Sequence, residues 1–199
     1  MEIHKTIETG KVDQPAKGEE LQKEVIAFDL DGTLIGQAEV ADIIPELRNH
    51  DLIKRLLERL RRAEVHIATN QGGIPVGKRS VEAAVERIKR GIELLESYGI
   101  PVRSVQVSVF NPRATPEAVR NAYVKLVQAL REAIPKAKVM VYDQPQYRKP
   151  GTGMLEAIKA THYFGDSPED MQVAQALKIG FEHVPRLVEP VSGNLKGKI

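Results

Sequence analysis

Val25-Ile26-Ala27-Phe28-Asp29-Leu30-Asp31-Gly32-Thr33-Leu34 is the stretch that decides how this chain is read. Its apolar front, Val25 to Phe28, is short and hydrophobic enough for a buried strand. That strand runs into two carboxylates at alternate positions. Enclosed carboxylates lose hydration and repel each other, so keeping both there is costly unless a cation or a reaction compensates. The residues therefore point to metal-supported carboxylate chemistry.

Outward from this strand, apolar and amphipathic segments alternate. A helix is expected from about Leu47 to Arg62, with apolar residues at Leu52, Ile53, Leu56, Leu57 and Leu60. Val65-His66-Ile67-Ala68-Thr69 reads as a second buried strand. An amphipathic helix follows from about Lys78 to Tyr98, stopped by Gly99 and Pro101. Strand 105–110, helix 115–134 opened by Thr115-Pro116, and strand 139–142 come next. Segments 153–159, 162–164, 168–177 and 181–184 continue the series. Strands separated by helical stretches of about 10–20 residues imply right-handed crossovers and helices on both faces of a mainly parallel sheet. The expected fold is α/β, Rossmann-like and doubly wound. Ligands of such sheets bind beyond the carboxyl ends of the strands, where Asp29, Thr69 and Asp166 all fall.

Three later segments share that edge. Ala68-Thr69-Asn70-Gln71-Gly72-Gly73-Ile74 follows a strand, and its glycines let main chain approach a bound anion closely. Tyr147-Arg148-Lys149-Pro150-Gly151-Thr152-Gly153-Met154 sets a cation before a helix start, where an ammonium and the unpaired amides of the first turn act on one anion. Arg148 reads equally well as a solvated surface charge. Tyr163-Phe164-Gly165-Asp166-Ser167-Pro168-Glu169-Asp170 places acids after a strand, and Glu169 suits the dipole of a helix's first turn.

In this order, the four segments resemble the four motifs of the haloacid dehalogenase (HAD) superfamily, most of whose members are magnesium-dependent phosphatases. The resemblance implies a HAD-like phosphatase in which Asp29 is a nucleophile that forms an aspartyl-phosphate, a role open to carboxylates. Asp31 would give a proton to the leaving oxygen and later take one from water. Thr69, Asn70 and Lys149 would bind phosphate. Magnesium (Mg2+) would be held by Asp29, Asp166 and the main-chain carbonyl of Asp31, since the ion takes hard oxygen ligands and retains several waters. Gly32, Thr33 and Asp170 would support the site, with Asp170 acting through water or orienting Lys149.

Within the superfamily, Thr69-Asn70-Gln71-Gly72-Gly73-Ile74 combined with the Tyr147 to Met154 segment is most similar to the phosphatase domain of polynucleotide kinase 3′-phosphatases. It is also similar to histidinol-phosphate and heptose-bisphosphate phosphatases. The Thr152-Gly153-Met154 ending favours the polynucleotide group, whereas the fourth motif resembles superfamily phosphatases in general. A phosphomonoester at a nucleic-acid 3′ end is therefore the expected substrate. The alternative is a small metabolite such as histidinol phosphate, a sugar phosphate or a nucleotide; a non-catalytic phosphate-binding module is a third reading. No kinase is expected, because the Gly-x-x-x-x-Gly-Lys-Ser/Thr loop is absent. Residues 32–68 leave room for little or no cap domain. Residues 111–148 hold an extra helix and strand that form either a lid or an added core unit. Lys78, Arg79 and Arg113 are expected in strand-end loops, placed to contact flanking phosphates.

Composition bounds the rest. The 199 residues suit one domain, expected at 23–185, between a polar arm at 1–22 and a tail at 186–199. There is no cysteine, which excludes disulfides and thiolate metal sites. The formal net charge of +2 permits an anionic substrate but is too mild to prove nucleic-acid binding. No apolar run approaches the ~20 residues that cross a bilayer, and Met1-Glu2-Ile3-His4-Lys5 opens no signal-peptide pattern. A soluble cytoplasmic protein without a membrane partner is expected; nothing in the sequence specifies an oligomeric state. None of the five histidines forms a ligand pair, and His66 and His162 read as core or edge residues. Lys54, Arg55, Arg59, Arg61 and Arg62, interleaved with Glu58 and Glu64, read as a solvated helix face. Tyr147 reads as packing or a base-stacking platform.

Overall fold

The computed structural model describes residues 23–35 and 50–184, without the side chains of 50–55. The expected arm at 1–22, the tail at 186–199 and the start of the first helix at Leu47 lie outside the described residues. Within them, β1 (Val25–Phe28), α1 (His50–Arg62), β2 (Glu64–Asn70), α2 (Val81–Ser97), β3 (Val102–Ser108) and α3 (Pro116–Ala133) alternate. They are followed by β4 (Lys138–Tyr142), α4 (Gly153–Ala157), β5 (His162–Gly165), α5 (Pro168–Leu177) and β6 (Gly180–His183). The sheet order is β4-β3-β2-β1-β5-β6, and every neighbouring pair is parallel. The chain builds outward from β1 to β4, then crosses back to set β5 on the other side of β1. That reversal opens a crevice at the carboxyl ends of the central strands.

Period-two alternation decides what each face buries. Ile26 and Phe28 of β1, Val65 and Ile67 of β2, and Val105 and Val107 of β3 face α1, α2 and α3. Ala27, Ala68 and Tyr163 face the smaller layer formed by α4 and α5. On the latter side β3 turns Ser104 and Gln106 into a hydrogen-bonded chain. Tyr142 Oη donates to Gln106 Oε1 (2.7 Å), Gln106 Nε2 donates to Ser104 Oγ (2.8 Å), and Ser104 Oγ lies 2.6 Å from His66 Nδ1. His66 is thus a buried structural residue. Tyr147 stacks on Tyr142 with ring centroids 3.9 Å apart, so it is packing.

Several boundaries differ from expectation for local reasons. Ser80 caps α2, its side chain accepting from the amide of Ala83, which leaves Lys78 and Arg79 in the preceding loop. β3 begins at Val102 because it pairs from Val65 onward through a register shift, and Arg103 and Ser104 mask that start in the sequence. The basic face of α1 is not uniformly solvated: Arg59 pairs with Glu24 at 2.6 Å and with Glu182 at 3.2 Å, tying the helix to residues beside β1 and in β6. No helix among the described residues is long and apolar enough to cross a membrane.

The extra helix and strand form an added core unit. β4 pairs with β3 from Ser104↔Lys138 to Ser108↔Tyr142, and α3 buries Val119, Ala122, Leu126 and Leu130 against α2 and the sheet. A lid would close over the site and melt apart from the core; this unit extends the sheet edge. Leu126 is fully buried, so Leu126→Ala is expected to cost about 2–5 kcal/mol of global stability, measured by denaturant melts that remain a single transition.

Candidate active site

At the end of β1 the amide of Asp29 still bonds the carbonyl of Phe164 (2.8 Å), so the pairing with β5 carries the residue just past the sheet edge. Its carboxylate meets Lys149, whose Nζ donates to Asp29 Oδ1 (2.6 Å), Asp170 Oδ1 (2.7 Å) and Tyr163 Oη (2.7 Å). All four residues are buried. Asn70, expected to hold phosphate, lines the same pocket as Lys149 and also grips the lysine's main chain: its Oδ1 accepts from the Lys149 amide and its Nδ2 donates to the Lys149 carbonyl, each at 3.1 Å. The end of β2 thereby fixes the turn that delivers Lys149.

The acids after β5 are held just as locally. Ser167 and Asp170 form a capping box at the start of α5, with Asp170 Oδ2 accepting from the Ser167 amide (3.1 Å) and hydroxyl (2.6 Å). Asp170 thus bonds the protein through both oxygens, one of them to Lys149 Nζ. A Cβ on Gly165 would overlap Asp170, and one on Gly32, at φ +92°, would overlap the Asp166 carboxylate. Glycine at these positions lets the loop after β1 close directly on the acids after β5.

Asp31 turns to a different set of partners. Arg79 Nη1 donates to its Oδ2 (2.8 Å), and Arg87 Nη2 lies 2.6 Å from its Oδ1. Gln71 Nε2 reaches both Asp31 Oδ2 and Thr69 Oγ1 at 3.0 Å. Arg79, expected beside a flanking phosphate, is therefore paired with a site carboxylate. Arg87, Gln71 and Tyr163 were not singled out from the sequence. Two signals pointed toward them: Gln71 lies two positions after Thr69, and a tyrosine in an apolar strand needs a partner for its hydroxyl. Thr33 is buried, and its Oγ1 has no hydrogen-bond partner among the described residues.

The two carboxylates of the first motif are driven in opposite directions. Burial pushes Asp29 up to about 7, with Asp170 adding to the rise and Lys149 opposing it. Burial also works against ionised Asp31, but Arg79 and Arg87 outweigh it and hold Asp31 below the ordinary carboxylate range. Burial opposes the Lys149 ammonium, yet Asp29 and Asp170 keep its pKa above that of an ordinary lysine. Asp170 is lowered, because Lys149 overcomes its desolvation.

Asp29, Asp31, Thr69, Lys149 and Asp166 line one pocket of about 390 Å³ at the carboxyl edge of the sheet. Arg148 lines it too and donates to the Phe110 carbonyl at 3.3 Å, so it is part of the wall. Asp29, Asp166 and Asp170 offer ligand oxygens within 4.8 Å of one another. Three buried carboxylates face one buried ammonium there, an imbalance suited to a divalent cation with hard oxygen ligands.

Residues 24–180 match the family described as Polynucleotide kinase 3 phosphatase. The chain belongs to this family of HAD-superfamily phosphatases. Among solved structures, a HAD-like phosphatase from Mesorhizobium loti shares 20% identity at a TM-score of 0.51, over 86% of this chain and 73% of that one. The D,D-heptose 1,7-bisphosphate phosphatase of B. bronchiseptica, solved with magnesium and phosphate, shares 17% identity at a TM-score of 0.49, over 79% of this chain and 78% of that one. No curated protein matches the chain.

The raised Asp29 pKa sets a sign for stability. Between about 3.8 and about 7 the folded state holds a proton that the unfolded state has released, so this residue's contribution to stability falls as pH rises through that window. In chelator, Asp29→Asn is expected to melt above wild type near pH 8, with the gap closing toward about pH 5 as wild-type Asp29 becomes neutral. Thermal melts of both proteins across that range check it.

Proposed function

We propose that this chain is a cytoplasmic, magnesium-dependent phosphomonoester hydrolase that removes the 3′-phosphate from nucleic-acid ends through an aspartyl-phosphate. The observation that carries the reading is the convergence of Asp29, Asp31, Thr69, Lys149 and Asp166 on a single pocket. The carboxylates of Asp29 and Asp166 and the main-chain carbonyl of Asp31 would hold magnesium. When bound, the ion supplies positive charge to offset the phosphoryl oxygens and the nucleophile.

The protein's own groups divide the remaining work. A carboxylate oxygen of Asp29 bonds to phosphorus as the ester P–O bond breaks, and the departing oxygen takes its proton from Asp31. Water then attacks the aspartyl-phosphate, giving its proton to Asp31 and releasing inorganic phosphate with Asp29 restored. Asp31 is ionised in its arginine contacts, so it takes a proton from solvent on leaving them before the first step, and the ionised form it has after giving that proton up is the one the second step needs. Lys149 and the Thr69 hydroxyl favour the phosphoryl oxygens as charge redistributes, and preorganised groups of this kind supply most of the catalysis in phosphoryl transfer.

The family match supports a polymeric substrate over a metabolite. Lys78 and Arg113, exposed in loops after β2 and β3, stand at the same end of the sheet and suit flanking phosphates. A 3′-phosphorylated oligonucleotide is therefore expected to show higher kcat/KM than histidinol phosphate or a sugar phosphate, with an advantage that shrinks as salt is raised. Equal or higher efficiency on a metabolite would assign the protein to small substrates. Asp29→Asn is expected to lower turnover by about 10⁴-fold or more while the fold is retained. Phosphate release with and without chelator measures both the nucleophile and the metal requirement.

A further inference from the structure

The face of the sheet that carries α4 is left open at β3 and β4. Lys138 and Met140 of β4 stand beside Ser104 and Gln106 of β3 on that face, and Met140 is 37% exposed. A groove of about 500 Å³ lies there, walled by Ala157 and Ile158 at the end of α4, and it shares no residue with the catalytic pocket. A bulge in β3 supplies its first cation. Val65 pairs with Val102 but His66 with Ser104, so Arg103 is an extra residue; it lines the groove together with Ser104, while Val102 and Val105 keep to the core on the other face. Lys136 and Lys138, two positions apart where β4 begins, line the groove as well. None of these three side chains has an ion-pair or hydrogen-bond partner among the described residues, and Glu64 is the one acid in the lining.

Beside these cations, His66 has a donor to spare. The ring is buried, and burial holds its pKa below the ordinary histidine value, with Glu64 opposing the fall and Arg103 adding to it, so the ring is neutral at neutral pH. Ser104 Oγ already accepts from Gln106, so its own hydrogen goes to His66 Nδ1 and the ring's hydrogen sits on Nε2. That Nε2 has no hydrogen-bond partner among the described residues; Glu64 Oε2, at 3.9 Å, is beyond bonding distance. A buried donor without an acceptor is costly, and an anion drawn in by the three cations would relieve it.

We propose that this groove is a second ligand site, which takes a phosphomonoester whose phosphate is met by Arg103, Lys136 and Lys138 and accepts from His66 Nε2, and whose organic group lies on Met140, Tyr142 and Ile158. Three cations against one acid leave two positive charges, which a dianionic monoester balances and a singly charged backbone diester does not. Nε2 is closed off from solvent, so its bond forms as the Glu64 side chain, 40% exposed and held by no hydrogen bond, turns outward. Apolar surface with a few placed polar groups is the usual make-up of a small-molecule site. The groove contains no pair of carboxylates, so the ligand is bound there and not hydrolysed. The site stands apart from whatever the catalytic pocket takes as substrate.

Calorimetric titration in chelator tests the site, using the full chain as wild type, Arg103→Gln and Lys138→Gln. The probes are adenosine 5′-monophosphate (AMP), inorganic phosphate and an oligothymidylate without terminal phosphates. Wild type is expected to bind AMP, and each variant to bind it about tenfold more weakly, the loss of one charge-assisted contact. Both side chains are exposed, so the variants are expected to melt with wild type. Inorganic phosphate is expected to bind more weakly than AMP, and the oligothymidylate to leave AMP in place. In proton–nitrogen correlation spectra of the imidazoles, His66 is expected as the Nε2–H tautomer, with that resonance shifting as AMP saturates. AMP affinity unchanged in both variants puts the nucleotide elsewhere and overturns the site, as does a wild type that binds neither AMP nor phosphate. Inorganic phosphate binding as tightly as AMP overturns the role of Met140, Tyr142 and Ile158. Displacement of AMP by the oligothymidylate overturns the assignment to a monoester, and an Nδ1–H tautomer overturns the role of His66.

Discussion

Lys149 has no place for its charge except between two carboxylates, and the rest of the site is arranged around that constraint. Its ammonium is enclosed by Asp29, Asp170 and Tyr163, with the Ala68 carbonyl at 3.3 Å as a fourth acceptor. Those partners come from the ends of β1 and β2, from β5 and from the start of α5, so a single cation joins the central strands to the helix that follows them. Removing the lysine leaves Asp29 and Asp170 buried without their cation, a loss that typically costs about 3–5 kcal/mol. The lysine is therefore held to one position for reasons of stability alone. That is also what a phosphate-binding cation needs, since a group already ordered loses little further freedom when it meets substrate.

The sheet determines which residues can reach this lysine. Because the chain winds outward to β4 and returns across β1, the ends of β1, β2 and β5 become neighbours although Asp29 and Asp166 are far apart in sequence. The added α3 and β4 attach at the far edge, where the sheet grows without altering any partner of Lys149. Elaboration at an edge is compatible with chemistry at the centre because each strand pair depends only on its immediate neighbour.

What could be read from the sequence follows the same division between local and distant interactions. Period-two apolar runs such as Val25-Ile26-Ala27-Phe28 identify strands, and Thr115-Pro116 opens a helix, because these signals are carried by adjacent residues. The alternation gave the order of elements and the α/β class. It could not say whether α3 and β4 are lid or core, because that depends on pairing with β3. At the site, Asp29, Asp31, Thr69, Lys149 and Asp166 stand in recognisable short motifs, and the pocket brings them together. Arg87 stood among ordinary helix charges, and only the packing of α2 carries it to Asp31. Asn70 was legible as a site residue, but its bonds to the Lys149 main chain depend on a contact 79 residues away.

Asp29 and Asp31 illustrate how neighbours in sequence acquire separate tasks. Two carboxylates so close would repel each other if both faced the same space, and the fold turns them apart, one toward a buried lysine and the other toward two arginines. The resulting order is the reverse of what the first chemical step wants: burial raises the proposed nucleophile to about 7, while the arginines keep the proposed acid ionised. A divalent cation beside Asp29 favours its ionised form and corrects the first of these. The second is corrected only when Asp31 leaves its arginines for the leaving oxygen. On the proposed reading, metal and substrate each bring about one of these two changes, so the reactive arrangement of the acids is assembled only when both are present.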